Sequence, residues 1–170
     1  VQKALGVSSA GRAALGERLG GFIYGTILSL AVLVGGAKAY PDHAWKIVVL
    51  LAVTATVFWL AHVYAHSLAR VVAQDRHLSL AELRRIGRHE SSIIEAAIVP
   101  VAALLLAAFG LISTKAATWI AYGLGLAVLL ASGLVFARVE RLGWVATLVV
   151  VALNVALGLA LVALKLFVSH

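Results

Sequence analysis

Three ionisable side chains stand inside apolar sequence: His62 and His66 in TVFWLAHVYAHSLA, and Glu95 in SSIIEAAIVP. Four-residue spacing puts the two imidazoles one turn apart on the same face of a helix. Two imidazoles and a carboxylate form a ligand set for a divalent metal such as zinc, iron or manganese, and an i, i+4 His pair is good chelating geometry. The same groups suit a proton relay or a water-filled ion path, because imidazole titrates near neutral pH and intramembrane carboxylates mark such paths. A third reading is a hydrogen-bond network that only joins the second helix to the third. Residue types alone leave the three open.

The elements that carry these residues follow from hydropathy. Hydrophobic residues make up 63% of the 170-residue chain and charged ones 12%, with a mean hydropathy of +1.05; soluble domains hold roughly 45 to 50% apolar residues. Five apolar stretches, at 20–38, 44–69, 91–112, 116–138 and 142–168, are each close to the ~20 residues that cross a bilayer core. Little chain is left for a soluble domain. The expected fold is all-α, a polytopic integral membrane helix bundle of about five spans forming a single transmembrane domain over 1–170.

Charge sets the expected orientation, since cytoplasmic loops carry the excess of Lys and Arg. With the N-terminus inside and the C-terminus outside, Lys3, Arg12, Arg18, Arg70, Arg76, Arg84, Arg85, Arg88, Arg138 and Arg141 all fall on the cytoplasmic side, ten of the 14 basic residues. Lys38, Lys46, Lys115 and Lys165 fall outside. Tyr40, Trp45, Trp119 and Trp144 lie near span ends, where amphipathic rings favour the headgroup level. The net charge of +7 is explained by anionic lipid at the cytoplasmic face. No separate basic domain supports a nucleic-acid partner. The absence of cysteine excludes disulfides, thiolate metal sites and thiol catalysis, and the first twenty residues lack the apolar core and cleavage site of a signal peptide.

One connector is long, from Arg70 to Glu90. Within it, Ser79 and Glu82 stand at capping-box spacing. Leu80, Leu83 and Ile86 then recur three apart while Arg84, Arg85 and Arg88 occupy other faces. This predicts a short interfacial helix over 79–88, its apolar side in lipid or against the bundle and its arginines towards anionic lipid. A solvated charged linker is the alternative.

Depth counting then gathers the polar residues at one level. His66 lies four residues from Arg70, His62 eight, and Glu95 seven beyond Arg88, so all three sit roughly 6 to 12 Å inside the cytoplasmic boundary at about 1.5 Å per residue. Arg18 opens the first span at the same level. Asn154, in the last span, is expected to bond across a helix interface or face a pore. Pro100 frees a carbonyl in the third span. Gly21 with Gly25, Gly123 with Ala127 and Ala131, and Ala152 with Ala156 and Ala160 recur at the four-residue spacing that lets helices approach, within one chain or between chains.

The first span, ERLGGFIYGTILSLAVLV, resembles the first helix of the transmembrane protein 175 family of potassium channels, whose motif R-x-x-x-F-S-D is followed by Gly and an apolar run. Arg18, Phe22 and Gly25 occupy matching positions, while Ile23 and Tyr24 replace the Ser and Asp. FWLAHVYAHSLAR is similar to that family's second-helix pattern W-x-x-H, through Trp59 and His62. The resemblance covers about the first three spans. It implies an oligomer of helical subunits around a pore lined by the first helix, with Arg18 and His62 organising its inner ends.

No phosphate-binding loop, Ser/His/Asp arrangement or zinc-protease helix occurs, so an enzyme is not expected. The expected function is ion or proton permeation by a small homo-oligomer, in a bacterial inner membrane. Arg18, His62, His66 and Glu95 would form its inner polar network, which protonation of a histidine would bias. A non-transporting scaffold or accessory subunit is the second reading. A protein holding a divalent metal, its one candidate cofactor, at His62, His66 and Glu95 is the third.

Overall fold

The computed structural model describes residues 9–74 and 78–168. Six helices follow one another: α1 (Ser9–Ala39), α2 (Ala44–Gln74), α3 (Leu80–His89), α4 (Ser92–Ala108), α5 (Thr114–Val139) and α6 (Trp144–Val168). No strand occurs among the described residues. Segments within α1, α2, α5 and α6 are long and apolar enough to cross a membrane, and α3 with α4, bent by 46° at a short break, forms a fifth candidate.

The observed ends differ from those expected in instructive ways. α1 begins at Ser9 rather than near residue 20, so Glu17 and Arg18 ride on a continuous helix instead of a loop before it. α2 runs on to Gln74, past the expected end at 69. α4 stops at Ala108, four residues before the apolar stretch does. Gly110 takes a φ of +77°, and the Gly110 and Leu111 amides turn back to the Ala107 and Leu106 carbonyls. A glycine in the left-handed region ends a helix however apolar the residues around it. Ser113 then caps α5 by accepting from the Ala116 amide.

Small residues set how closely the helices approach. A Cβ added at Gly25 of α1 would stand 2.8 Å from the Ile93 carbonyl oxygen and 2.9 Å from its Cα, so α1 and α4 touch backbone to backbone. Gly125 of α5 receives Leu30 of α1, Gly133 receives Val151 and Asn154 of α6, and Gly158 of α6 receives Leu126 and Leu129. These pairings make α5 and α6 antiparallel. The other spaced small residues look outward: Gly123, Ala127, Ala131, Ala152, Ala156 and Ala160 are all exposed in the single chain.

α4 is the central helix. It packs against α1, α2 and α5, with Ile93, Ala96, Ala97, Pro100, Ala103 and Leu104 buried along its length. α1 in turn contacts α2, α4, α5 and α6. Leu30, Leu33, Ile47, Leu51, Leu104, Tyr122 and Leu129, none more than 1% exposed, fill the space between them. The interior is therefore mostly apolar, with the hydroxyl residues Thr26, Ser29, Thr118 and Ser132 also buried; Lys38, Lys46 and Lys115 stand at one end of the bundle, and the Arg, His and Glu residues of the candidate site at the other.

Candidate functional site

The elbow between α3 and α4 builds that end. Ser79 and Glu82 form the capping box expected of them, the Ser79 hydroxyl accepting from the Glu82 amide and the Glu82 carboxylate from the Ser79 amide. Ile86 is buried, and the next residue, Gly87, lends its carbonyl to the Trp59 indole N–H at 2.9 Å, fixing α3 to α2. α3 ends at Glu90, whose amide bonds back to Ile86. The chain then bends and restarts at Ser92.

The bend carries a buried carboxylate. Glu90, its side chain 8% exposed, accepts from His66 Nδ1 at 2.7 Å. His89 Nδ1 lies 3.3 Å from the same oxygen, and His89 Nε2 lies 3.0 Å from Glu17 Oε2 of α1. A carboxylate withdrawn from water in this way needs charged or hydrogen-bonding partners, and the imidazoles supply them. Close by, Glu95 takes the Arg18 guanidinium at 3.2 Å and the Ser91 hydroxyl at 2.7 Å. Two ties to α1 and two to α2 thus hold the elbow.

These groups border an open cavity of about 1220 Å³. α1 contributes Glu17, Arg18, Gly20, Gly21 and Tyr24; α2 contributes His62, His66, Ala69, Arg70 and Ala73; the elbow contributes Arg85, Ile86, Arg88, His89, Glu90, Ser91 and Ile93. The lining holds four guanidiniums and three imidazoles against two carboxylates. At its deep end the Tyr24 and His62 rings meet, centroids 5.2 Å apart, with Phe58 beside them at 6.4 Å from Tyr24. Gly20 of α1 and Ala69 and Ala73 of α2 put little bulk into the cavity, and nothing lies within 4 Å of where a Gly20 Cβ would be, whereas Gly21 is pressed against Ser92 of α4.

The expected site residues divide. Arg18, His62 and His66 line one cavity, while Glu95 stands behind it, paired with Arg18. The proposed metal set is not assembled: among the described residues no three His, Asp or Glu side chains are grouped to hold a metal ion. Glu95 is taken by a guanidinium and a hydroxyl, and the His62 Nδ1–H donates to its own helix at the Phe58 carbonyl. Asn154 is far from the cluster, its amide nitrogen buried against Gly133 of α5 without a hydrogen-bond partner. The three arginines of α3 do not share one environment. Arg85 and Arg88 line the cavity, whereas Arg84, one residue round the helix, does not.

Glu90, Glu17, His89 and Arg70 complete the site and were not singled out from the sequence. For His89 and Glu90 the signal was the string RHESS, where an imidazole and a carboxylate fall at the break between two helices; Glu17 and Arg70 carried no such signal. A group placed there is covered by both helices and needs a partner from a third.

Comparison of the chain with models of known protein families, with curated proteins and with solved structures finds no match. The likeness to the potassium-channel family therefore rests on the motif residues given above, of which Arg18 and His62 line the same cavity.

Proposed function

We propose that the protein crosses a bacterial inner membrane five times, N-terminus inside and C-terminus outside, and works as a binding protein for an anionic ligand at the cytoplasmic face. The observation that carries this reading is the charge inventory of the cavity. Arg70, Arg85 and Arg88 line one open space, and their guanidiniums have no hydrogen-bond or ion-pair partner among the described residues. All three are exposed, and unneutralised guanidiniums gathered on one surface attract oxyanions, which they bind with charge-assisted and often bidentate hydrogen bonds.

Orientation rests on the same residues. The cavity end carries Arg18, Arg70, Arg84, Arg85, Arg88, Arg138 and Arg141, and the opposite turns carry Lys38, Lys46 and Lys115, the asymmetry expected when the cavity end is cytoplasmic. Permeation fits less well. Above the Tyr24–His62 contact the buried side chains of α1 are Thr26, which donates to the Phe22 carbonyl of its own helix, and Ser29, followed by Leu30 and Leu33, so two hydroxyls are all that α1 offers as a polar route. α1, which the channel resemblance makes the pore lining, has helices α2, α4, α5 and α6 around it.

Thermal unfolding of the detergent-purified protein tests the proposal. Pyrophosphate should raise the Tm of the wild type and leave an Arg85→Gln/Arg88→Gln variant unmoved. Equal responses in both, or none in either, would overturn it. A potassium or proton flux in liposomes that His62→Ala alters would restore the permeation reading in its place.

A further inference from the structure

We infer that the occupant of the cavity is the phosphate of an anionic membrane lipid, admitted sideways between α1 and α2. This rests on the anion-binding reading above and adds the source of the anion.

Three observations favour a lipid over a dissolved phosphate. The first is where the cavity opens. α1 and α2 touch closely near their connecting turn, where a Gly36 Cβ would stand 3.1 Å from Ile47 and 3.2 Å from Leu50. At the other end the cavity is lined by Gly20 of α1 and by Ala69 and Ala73 of α2, while the elbow closes the rear through the Trp59–Gly87 bond and the contacts of Gly21 with Ser92 and Gly25 with Ile93. Gly20, Ala69 and Ala73 are exposed, so the cavity reaches the outer surface of these two helices, which in a bilayer would meet lipid.

The second is the ordering of chemistry along the cavity. The α2 lining runs from Ala73 to His62, about 16 Å at a rise of ~1.5 Å per residue. Arg70, Arg85 and Arg88 lie towards its surface end, and Tyr24, Ile93 and the Phe58 ring towards its deep end. A dissolved anion uses only the first part. An amphiphile uses both, its phosphate among the guanidiniums and the start of an acyl chain along the aromatic rings.

The third is the disposition of α3. Arg85 and Arg88 face the cavity, while Leu80 and Leu83, 78% and 40% exposed, occupy the other side of this ten-residue helix. Bare leucines opposite arginines are the pattern of a helix with one face towards lipid, and the 46° bend from α4 carries α3 obliquely out of the end of the bundle. An oblique helix at the end of a spanning one would bring Arg85 and Arg88 towards the level of lipid phosphates. The carboxylates nearby do not cancel them, since Glu17 and Glu90 face His89 and His66, and Glu95 holds Arg18.

The test is native mass spectrometry of the full chain released from micelles containing phosphatidylglycerol, phosphatidic acid or phosphatidylcholine. Wild type should retain one anionic lipid per chain and no phosphatidylcholine. Replacing Arg70, Arg85 and Arg88 by Gln should weaken retention by about tenfold for each charge-assisted bond lost. Gly20→Phe provides a control on folding, because its side chain enters open space; it should keep the wild-type Tm and lose the lipid. Retention unchanged in the arginine variants, or phosphatidylcholine held as well as phosphatidylglycerol, would overturn the inference. Stabilisation by pyrophosphate without lipid retention would overturn it too, while leaving the anion-binding reading intact. Failure of both ligands would remove both.

Discussion

α1 and α2 are pressed together near the turn that joins them and stand apart at their other ends, and the same kind of residue serves both arrangements. At the joined end Gly36 lets Ile47 and Leu50 come within van der Waals contact. At the open end Gly20, Ala69 and Ala73 line a cavity of about 1220 Å³. A missing side chain removes bulk; whether the neighbour fills the gap depends on what holds that neighbour. Ile47 and Leu50 are free to move inward because only a short turn separates the helices there. At the open end α2 is tied instead to the elbow, by Trp59 to Gly87 and His66 to Glu90, and α1 to the same elbow by Arg18 to Glu95 and by Glu17 to His89. The elbow is a wedge that the two helices grip from either side.

That contrast breaks most severely at the joined end. Gly36→Leu should cost about 3 kcal/mol, because a full side chain must displace Ile47 and Leu50 from a packed contact; equilibrium unfolding in mixed micelles reads this, and an unchanged stability would mean that the two helices do not meet there. Next comes the wedge itself. Glu90→Ala removes the acceptor shared by His66 and His89 and should cost about 2 kcal/mol, with faster backbone amide exchange over 80–89 in α3. Glu90→Gln, which keeps a carbonyl oxygen in place, should recover part of the loss. The smallest effect is the most telling. Gly20→Leu points into open space and should change stability by no more than about 0.5 kcal/mol. A large loss there would show the helices closer than described.

The all-helical character and the number of apolar stretches were legible because hydropathy over ~20 residues is a strong, local signal. The short helix α3 was legible for another local reason, the Ser79 and Glu82 capping box. What escaped were the pairings. Glu95 was grouped with His62 and His66 because all three lie at similar depth, yet depth fixes a level and not an azimuth. Around the bundle Glu95 turns towards α1 and meets Arg18, while Glu90, five residues earlier and on the other side of a bend, meets His66. The end of α4 escaped likewise, because the glycine that stops it sits within an unbroken apolar run. Of the spaced small residues, Gly25 makes an internal contact and Gly123 lies exposed, a distinction that periodicity without a tertiary frame does not carry.

The early stop at Gly110 reaches beyond the turn it makes. α4 has 17 residues, about 25 Å of helix at ~1.5 Å per residue, against a hydrocarbon thickness of about 30 Å. The central helix of the bundle is thus shorter than the layer it would cross. Its neighbours α1, α2 and α5 have 31, 31 and 26 residues, so they and not α4 would set the thickness of bilayer that the chain matches. The elbow meets α2 at His66, eight residues before that helix ends at Gln74, about 12 Å at ~1.5 Å per residue. A short central helix among longer ones leaves a recess at its end, which water and headgroups would enter, wetting Glu90 and its histidines without any motion of the protein.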